Sequence, residues 1–229
     1  MTFVSEPERT VLTIGHSTHR VEDFLRLLRR HRVNAVADVR SMPYSRFNPQ
    51  FSRDAVRAAL RSNGIHYVYL GGELGGRSRD AAHYDVDDHR ARISYDRVRQ
   101  KGSFMAGLRR VLDGVDKGYR IALMCVEKEP LDCHRTLLVA RALEDTELSG
   151  KHIGIAHIHA DGRLESHDEA MDRLLERHKL ADDDSPLFAA SGEGGAGAGL
   201  GTREDRIADA VRRQSAKVAH ARPAARPQG

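Results

Sequence analysis

Both cysteines of this 229-residue chain fall in one short stretch, Cys125-Val-Glu-Lys-Glu-Pro-Leu-Asp-Cys133-His134-Arg135. An apolar run from Ile121 to Met124 leads in, and a run with helical spacing from Thr136 to Leu143 leads out. The spacing predicts strand, loop and helix. Asp132 is placed to cap that helix, which puts Cys133, His134 and Arg135 at its first three positions. A thiol there feels the helix dipole and neighbouring cations, so its thiolate fraction rises. Cys133 is therefore the expected nucleophile or redox thiol, and Cys125, at the end of a buried strand, the expected supporting or resolving one. Glu127 points to the same side as Cys125 if the chain stays extended, and burial would make it a general acid or base.

Two other chemistries compete for the stretch. A metal site would use Cys125, Cys133, His134 and His16. The seven-residue spacer between the cysteines does not match a zinc knuckle, so the metal reading is not favoured and no cofactor is assigned. Alternatively, His134 and Arg135 bind an anion without covalent catalysis. A thiol-phosphatase or rhodanese loop is excluded, because it needs an Arg six residues after the strand-end Cys and that position is Leu131.

Three further predicted strands end in comparable residues. Val11–Ile14 runs into Gly15-His16-Ser17, Ala35–Ala37 into Asp38-Val39-Arg40, and Ile65–Leu70 into Gly71-Gly-Glu-Leu-Gly-Gly76. Open α/β sheets bind ligands beyond the carboxyl ends of their strands, so four such endings predict one shared pocket. Asp38 is a second candidate base. His16, Ser17, Arg40, Arg46, His134 and Arg135 are candidate anion ligands, with Gly75 and Gly76 allowing close backbone approach. A mutual Asp38–Arg40 ion pair is the competing reading. Tyr44, Phe47 and Phe51 among Arg46 and Arg53 suit either base stacking or anchoring of a loop. His83, Asp85, Asp87, Asp88 and His89 have a metal-like composition, but in so polar a stretch a solvated loop is expected.

The positioning elements follow from periodicity and punctuation. A helix carries Val21, Phe24, Leu25, Leu27 and Leu28, and a second runs from Arg53 to Asn63 after Ser52. Between them Pro43 and Pro49 exclude regular structure. A short helix is expected near Tyr95–Gln100, another over Phe104–Leu112, and a fifth strand over Ile153–Ile158. Ser166–Glu169 has capping-box spacing and opens a helix to about His178. The alternation predicts an α/β fold: a Rossmann-like, mostly parallel sheet of about five strands with helices on both faces. Residues 1–180 are read as one domain, 181–201 as a Gly/Ala-rich linker, and 202–229 as a basic, partly helical or disordered tail. Of 37 Lys and Arg and 33 Asp and Glu, seven and three fall in that tail, leaving 30 of each elsewhere. The tail thus carries the whole excess charge and is the expected contact for nucleic acid. No run is long and apolar enough for a membrane span and no signal peptide is evident, so a cytoplasmic protein is expected.

With these pieces in place, the chain resembles a large family catalogued as domain of unknown function 488. The resemblance rests on Thr13-Ile-Gly-His-Ser17, Asp38-Val39-Arg40-Ser41-Met-Pro43, Ser45-Arg46-Phe47-Asn48-Pro49 with Phe51, and Ile65-His-Tyr67. It continues through Leu74-Gly75-Gly76, Cys125-x-Glu127, Cys133-His134-Arg135 and His157-Ile158 ahead of Gly162. It spans about residues 11–165; the stretch 77–101 and the segment after 181 depart from it. The family carries no established activity, and some members bear labels linking them to DNA repair. The residues favour an enzyme acting through a reactive thiol on a phosphorylated small molecule, nucleotide or modified nucleic-acid base. The alternatives are a non-catalytic nucleotide or nucleic-acid-binding module and a Cys/His metal-binding protein.

Overall fold

The computed structural model describes residues 9–87, 90–145, 152–181 and 201–223. The strands are β1 (Thr10–Gly15), β2 (Ala35–Asp38), β3 (His66–Tyr69), β4 (Tyr84–Asp87), β5 (Arg90–Ile93), β6 (Ile121–Cys125), β7 (Gly154–Ile158), β8 (Leu164–Ser166) and β9 (Ala221–Pro223). Six of them form one sheet in the order β3-β2-β6-β1-β7-β8, parallel except for β8, which returns antiparallel to β7. A second, antiparallel sheet has the order β4-β5-β9. The helices are α1 (Val21–Arg30), α2 (Arg53–Arg61), α3 (Gly71–Leu74), α4 (Tyr95–Arg99), α5 (Gly102–Asp116), a π-helical turn Arg135–Ala140 continuing as α6 (Arg141–Glu144), α7 (His167–Arg177) and α8 (Arg203–Val218).

Strands buried on both faces read as continuous apolar runs, and alternate residues must then feed two cores. Leu12, Ile14, Val36, Ala122 and Met124 pack with Phe24 and Leu28 of α1 and Val56 and Leu60 of α2. Val11, Ala37, Leu123, Cys125 and Ile155 pack on the other face with Leu108 of α5, Leu138 of the π-helical turn and Leu174 of α7. Cys125 therefore owes its burial to strand alternation. The capping box opens α7 as its spacing predicts: Ser166 Oγ accepts from the Glu169 amide and Glu169 reaches back to the Ser166 amide.

The α/β class and the mostly parallel sheet stand, with six strands in place of about five. The Rossmann order 3-2-1-4-5 is not adopted, because β6 lies between β1 and β2. Periodicity marks strands but carries no record of which crossover packs where. The order has a consequence for function. The chain leaves β1 and β2 toward the β3 edge and leaves β6 toward β7, so the crevice over these three carboxyl ends is a topological switch point.

The basic segment after residue 201 contributes α8 and β9. Ile207, Ala210 and Gln214 of α8 are buried, and Gln214 Nε2 donates to Asp132 Oδ1 at 2.8 Å. β9 pairs with β5. Residues 182–200 of the expected linker, residues 224–229, and Asp88 and His89 lie outside the described residues. No helix among the described residues is long and apolar enough to cross a membrane.

Candidate active site

The carboxyl ends of β2 and β6 and the loop after β3 open on a cavity of about 260 Å³ whose wall includes Cys125, Cys133, His134, Glu127, Arg77, Tyr95 and His220. Cys125 closes β6. The chain then passes through a 3-10 turn, Pro130–Asp132, and returns at Cys133, whose backbone is extended (φ −138°, ψ 142°). The Cys133 carbonyl accepts the amides of Thr136 and Leu137 at 3.1 Å each, so Cys133 itself occupies the capping position expected for Asp132. The Asp132 carboxylate is drawn elsewhere, to Arg177 Nη1 and Gln214 Nε2, both at 2.8 Å. The helical segment opens as a π-helix, a form that recurs at functional sites.

His134 is fixed by its far nitrogen. Nε2 lies 3.0 Å from the Val39 carbonyl, which can only accept, so Nε2 carries the proton. Nδ1 is the nitrogen turned to the thiols, 3.7 Å from Cys125 Sγ and 3.9 Å from Cys133 Sγ. Gly76 makes room for the ring, since a Cβ there would stand 2.7 Å from His134 Cγ.

The two thiols diverge. Burial alone would raise the Cys133 pKa, but a hydrogen bond from Cys125, the Arg135 guanidinium and His134 outweigh it and hold the thiol well below its ordinary value. Cys125 is pushed well above, because its hydrogen donates to Cys133, it is buried, and a second negative charge beside the first is disfavoured. Glu127 is raised by burial and by the charge on Cys133. Tyr95 is raised by burial and by both sulfurs.

The other expected site residues mostly build the wall from behind. Arg135 is fully buried and donates to the carbonyls of Glu127 (2.6 Å) and Lys128 (3.3 Å). It clamps the loop after β6 and is absent from the cavity lining, so its place is structural and electrostatic, not that of an anion ligand. His16 and Ser17 prolong the β1–β6 pairing, their amides donating to the carbonyls of Cys125 (2.9 Å) and Val126 (2.8 Å). The His16 ring stacks on Phe51 at 4.4 Å, and its Nδ1–H faces the Ser17 carbonyl at 3.0 Å. Its Nε2 accepts from Arg40 at 3.1 Å, and burial and the Arg40 cation lower its pKa to about 4. With both nitrogens committed, His16 joins neither metal cluster nor anion site.

Asp38 and Arg40 form the buried ion pair weighed from the sequence. Arg40 Nε donates to Asp38 Oδ1 at 2.8 Å and Nη2 to Oδ2 at 2.6 Å. Asp38 also accepts from the Arg40 amide and from Tyr67 Oη, and Arg40 Nη1 donates to the Phe51 carbonyl at 2.8 Å. Arg40 touches the cavity with nearly all its donors spent. Arg46 is exposed, over the Phe47 ring at 5.1 Å, and is not part of the lining. The glycines of the 71–76 loop approach protein, not an open cradle: Gly71 abuts the Arg40 carbonyl, and Gly75 the Gly71 carbonyl and Ser41. In the 77–101 stretch, His83 Nδ1 meets Ser78 Oγ at 2.8 Å and Asp85 pairs with Arg97 at 2.8 Å, so these two side chains are spent locally.

A second buried polar cluster lies away from the cavity. Thr13 Oγ1 meets His157 Nδ1 at 2.8 Å, and His157 Nε2 meets His167 Nδ1 at 3.1 Å. Burial, each histidine's neighbours and nearby arginines push His157 well down and His167 to about 4. Glu144, 3.6 Å from His167 Nε2, is raised to about 7 by burial and by Asp168.

A family model for domain of unknown function DUF488 matches residues 20–142. The chain belongs to the DUF488 family. No curated protein and no solved structure matches it. The DUF488 match takes in Asp38, Arg40, Gly76, both cysteines, Glu127 and His134, and stops before α7 and α8.

Sequence reasoning missed part of the wall. Arg77 follows Gly76 directly, its amide donating to Ser41 Oγ at 3.0 Å and its Nη1 meeting Met42 Sδ at 3.5 Å. Its place beside the glycine loop was a usable signal. Tyr95, Val218 and His220 had none, since they come from outside every motif and beyond the DUF488 span in the last two cases.

Proposed function

We propose that this DUF488 protein is an enzyme that attacks a small anionic substrate with the Cys133 thiolate. One observation carries the reading: His134 turns Nδ1 to both sulfurs, where it can take the thiol proton, while Val39 holds its other nitrogen. That is the logic of a nucleophile, a base and a group that orients the base. The sulfur bonds to the electrophilic atom of the substrate, and the leaving group departs with the proton of Glu127. The ionised Glu127 then takes a proton from water, which displaces the substrate fragment and returns Cys133 as thiolate. Arg77 lines the cavity and supplies the cation for a phosphate or carboxylate. About 260 Å³ lies below the roughly 300–1,000 Å³ of sites for drug-sized ligands, which favours a small phosphorylated metabolite, a mononucleotide or a single modified base.

A second reading, nucleic-acid binding, draws on Tyr44 and Phe47, which are 71 % and 84 % exposed beside Arg46. The basic end gives it less support, because Arg203 is paired with Asp172, and Arg212 and Arg213 with Asp209.

The experiment is protection of Cys133 from alkylation by a panel of nucleotides and phosphorylated metabolites, with site assignment by peptide mass. At least one panel member should slow modification of Cys133 in the wild type, and less so in Arg77→Ala. No protection by any member, with Cys133 no more reactive than a free thiol, would refute the reading.

A further inference from the structure

The sulfurs and His134 converge more fully than a nucleophile and its base require. Cys125 Sγ, Cys133 Sγ and His134 Nδ1 all lie within 4.8 Å of one another. Around a tetrahedral ion with metal–sulfur bonds of about 2.3 Å and a metal–nitrogen bond of about 2.0–2.1 Å, neighbouring sulfur and nitrogen stand about 3.6 Å apart. The two sulfur–nitrogen separations here are 3.7 and 3.9 Å. These two edges need to close by only a few tenths of an ångström, and the sulfurs stand within 4.8 Å of each other against about 3.8 Å around such an ion.

We propose that Cys125 Sγ, Cys133 Sγ and His134 Nδ1 form a binding site for a thiolate-preferring divalent ion such as Zn²⁺, with the fourth position open to the cavity. Independent features agree. A metal-binding histidine ordinarily donates its other ring N–H to a carbonyl or carboxylate, which sets the tautomer, and Val39 does this for His134. Gly76 packs against the ring, and any side chain there would press on its Nδ1 edge. The donors come from a strand end and the start of a helical segment, two elements locked by the sheet and by Arg135, so the site is assembled before any ion arrives. Three protein donors with a fourth position on a cavity is the arrangement of an exchangeable or catalytic ion; a purely structural zinc is closed by four. The inference goes beyond the nucleophilic reading. An ion there takes up the Cys133 lone pair, so the attacking thiolate belongs to the metal-free protein.

The test uses the full chain, stripped with chelator under reducing conditions and titrated with Co²⁺ as a spectroscopic stand-in. Binding at one equivalent with thiolate-to-cobalt charge-transfer bands and strong visible bands of tetrahedral Co²⁺, all bleached by Zn²⁺, is expected. Cys125→Ser should roughly halve the charge-transfer intensity. His134→Gln should keep both sulfur bands while weakening affinity at least about tenfold. Circular dichroism shows whether each variant is folded, and the wild-type spectrum stands without them. Absence of sulfur charge transfer, or cobalt bands indifferent to Cys125→Ser in a folded variant, would overturn the proposal, since the ion would then sit on surface histidines. Thiol reactivity of the metal-free protein is measured separately, so either reading can fail while the other holds.

Discussion

Asp38→Asn separates a strut from a catalytic base. Asp38 is fully buried and Arg40 is 2 % exposed. The carboxylate accepts two side-chain bonds from Arg40, the Arg40 amide and Tyr67 Oη. Asparagine can keep one acceptor oxygen, but its NH₂ would face a guanidinium donor where Oδ2 now accepts, and the Arg40 charge would lose its counter-ion. Breaking a buried pair on one side costs about 3–5 kcal/mol. With a urea slope of about 2 kcal/mol per molar, the midpoint should fall by about 1.5–2.5 M. The assay is equilibrium urea unfolding followed by far-UV circular dichroism. A double-mutant cycle with Arg40→Met belongs with it, because removing both charges should cost less than the sum of the two single losses. If Asp38→Asn loses less than about 1 kcal/mol, the buried pair is not a support, and Asp38 returns as a candidate base.

Three other perturbations have definite signs. Gly76→Ala drives a methyl into the His134 ring and should raise the pH needed to alkylate Cys133, with stability lowered by roughly 1–3 kcal/mol for overpacking; unchanged reactivity would show that the ring position does not matter. His16 and His167, both lowered to about 4, and His157, lowered well below its ordinary value, stay neutral when folded, while the unfolded chain takes up protons below about pH 6.5. Their stabilisation is therefore present above pH 6.5 and lost as the pH falls toward 4; urea midpoints should drop over that window, less steeply in His167→Gln, and equal slopes would count against the buried cluster. Glu144, raised to about 7, has the opposite sign: its stabilisation is present below about pH 4.5 and lost as the pH rises through 7. Glu144→Gln should stabilise the protein at pH 8.5 by on the order of 1 kcal/mol, discounting for its 30 % exposed side chain, and do little at pH 5, whereas destabilisation at pH 8.5 would mean the charge is well paired.

The position of the candidate cavity was legible because four strand ends carry unusual residues, and those after β2, β3 and β6 line it together. Roles were less legible. Arg40 and Arg135 have the composition of anion ligands, but a guanidinium satisfies carbonyls and carboxylates as readily as phosphate, and only burial tells the uses apart. The seven-residue spacer rules out a knuckle, which takes its ligands from one tight turn, but carries no sign that a strand end and a helical start bring the same donors together through the fold. Asp132 was a sound cap by type, yet Arg177 and Gln214, distant in sequence, claim its carboxylate. Val218 and His220 reach the cavity only because α8 docks on α7 and β9 pairs with β5, long-range contacts that leave no local pattern.

The central claim is that the two neighbouring thiols diverge, with Cys133 held well below its ordinary pKa and Cys125 pushed well above. Thiolate absorbance of the reduced, metal-free protein, titrated from pH 4 to 10 alongside Cys125→Ser and Cys133→Ser, tests it most directly. The account predicts one sulfur ionising well below about 8.5, lost in Cys133→Ser, and a second ionising well above it. Both sulfurs titrating together at or above 8.5, or the low step disappearing in Cys125→Ser but not in Cys133→Ser, would contradict it.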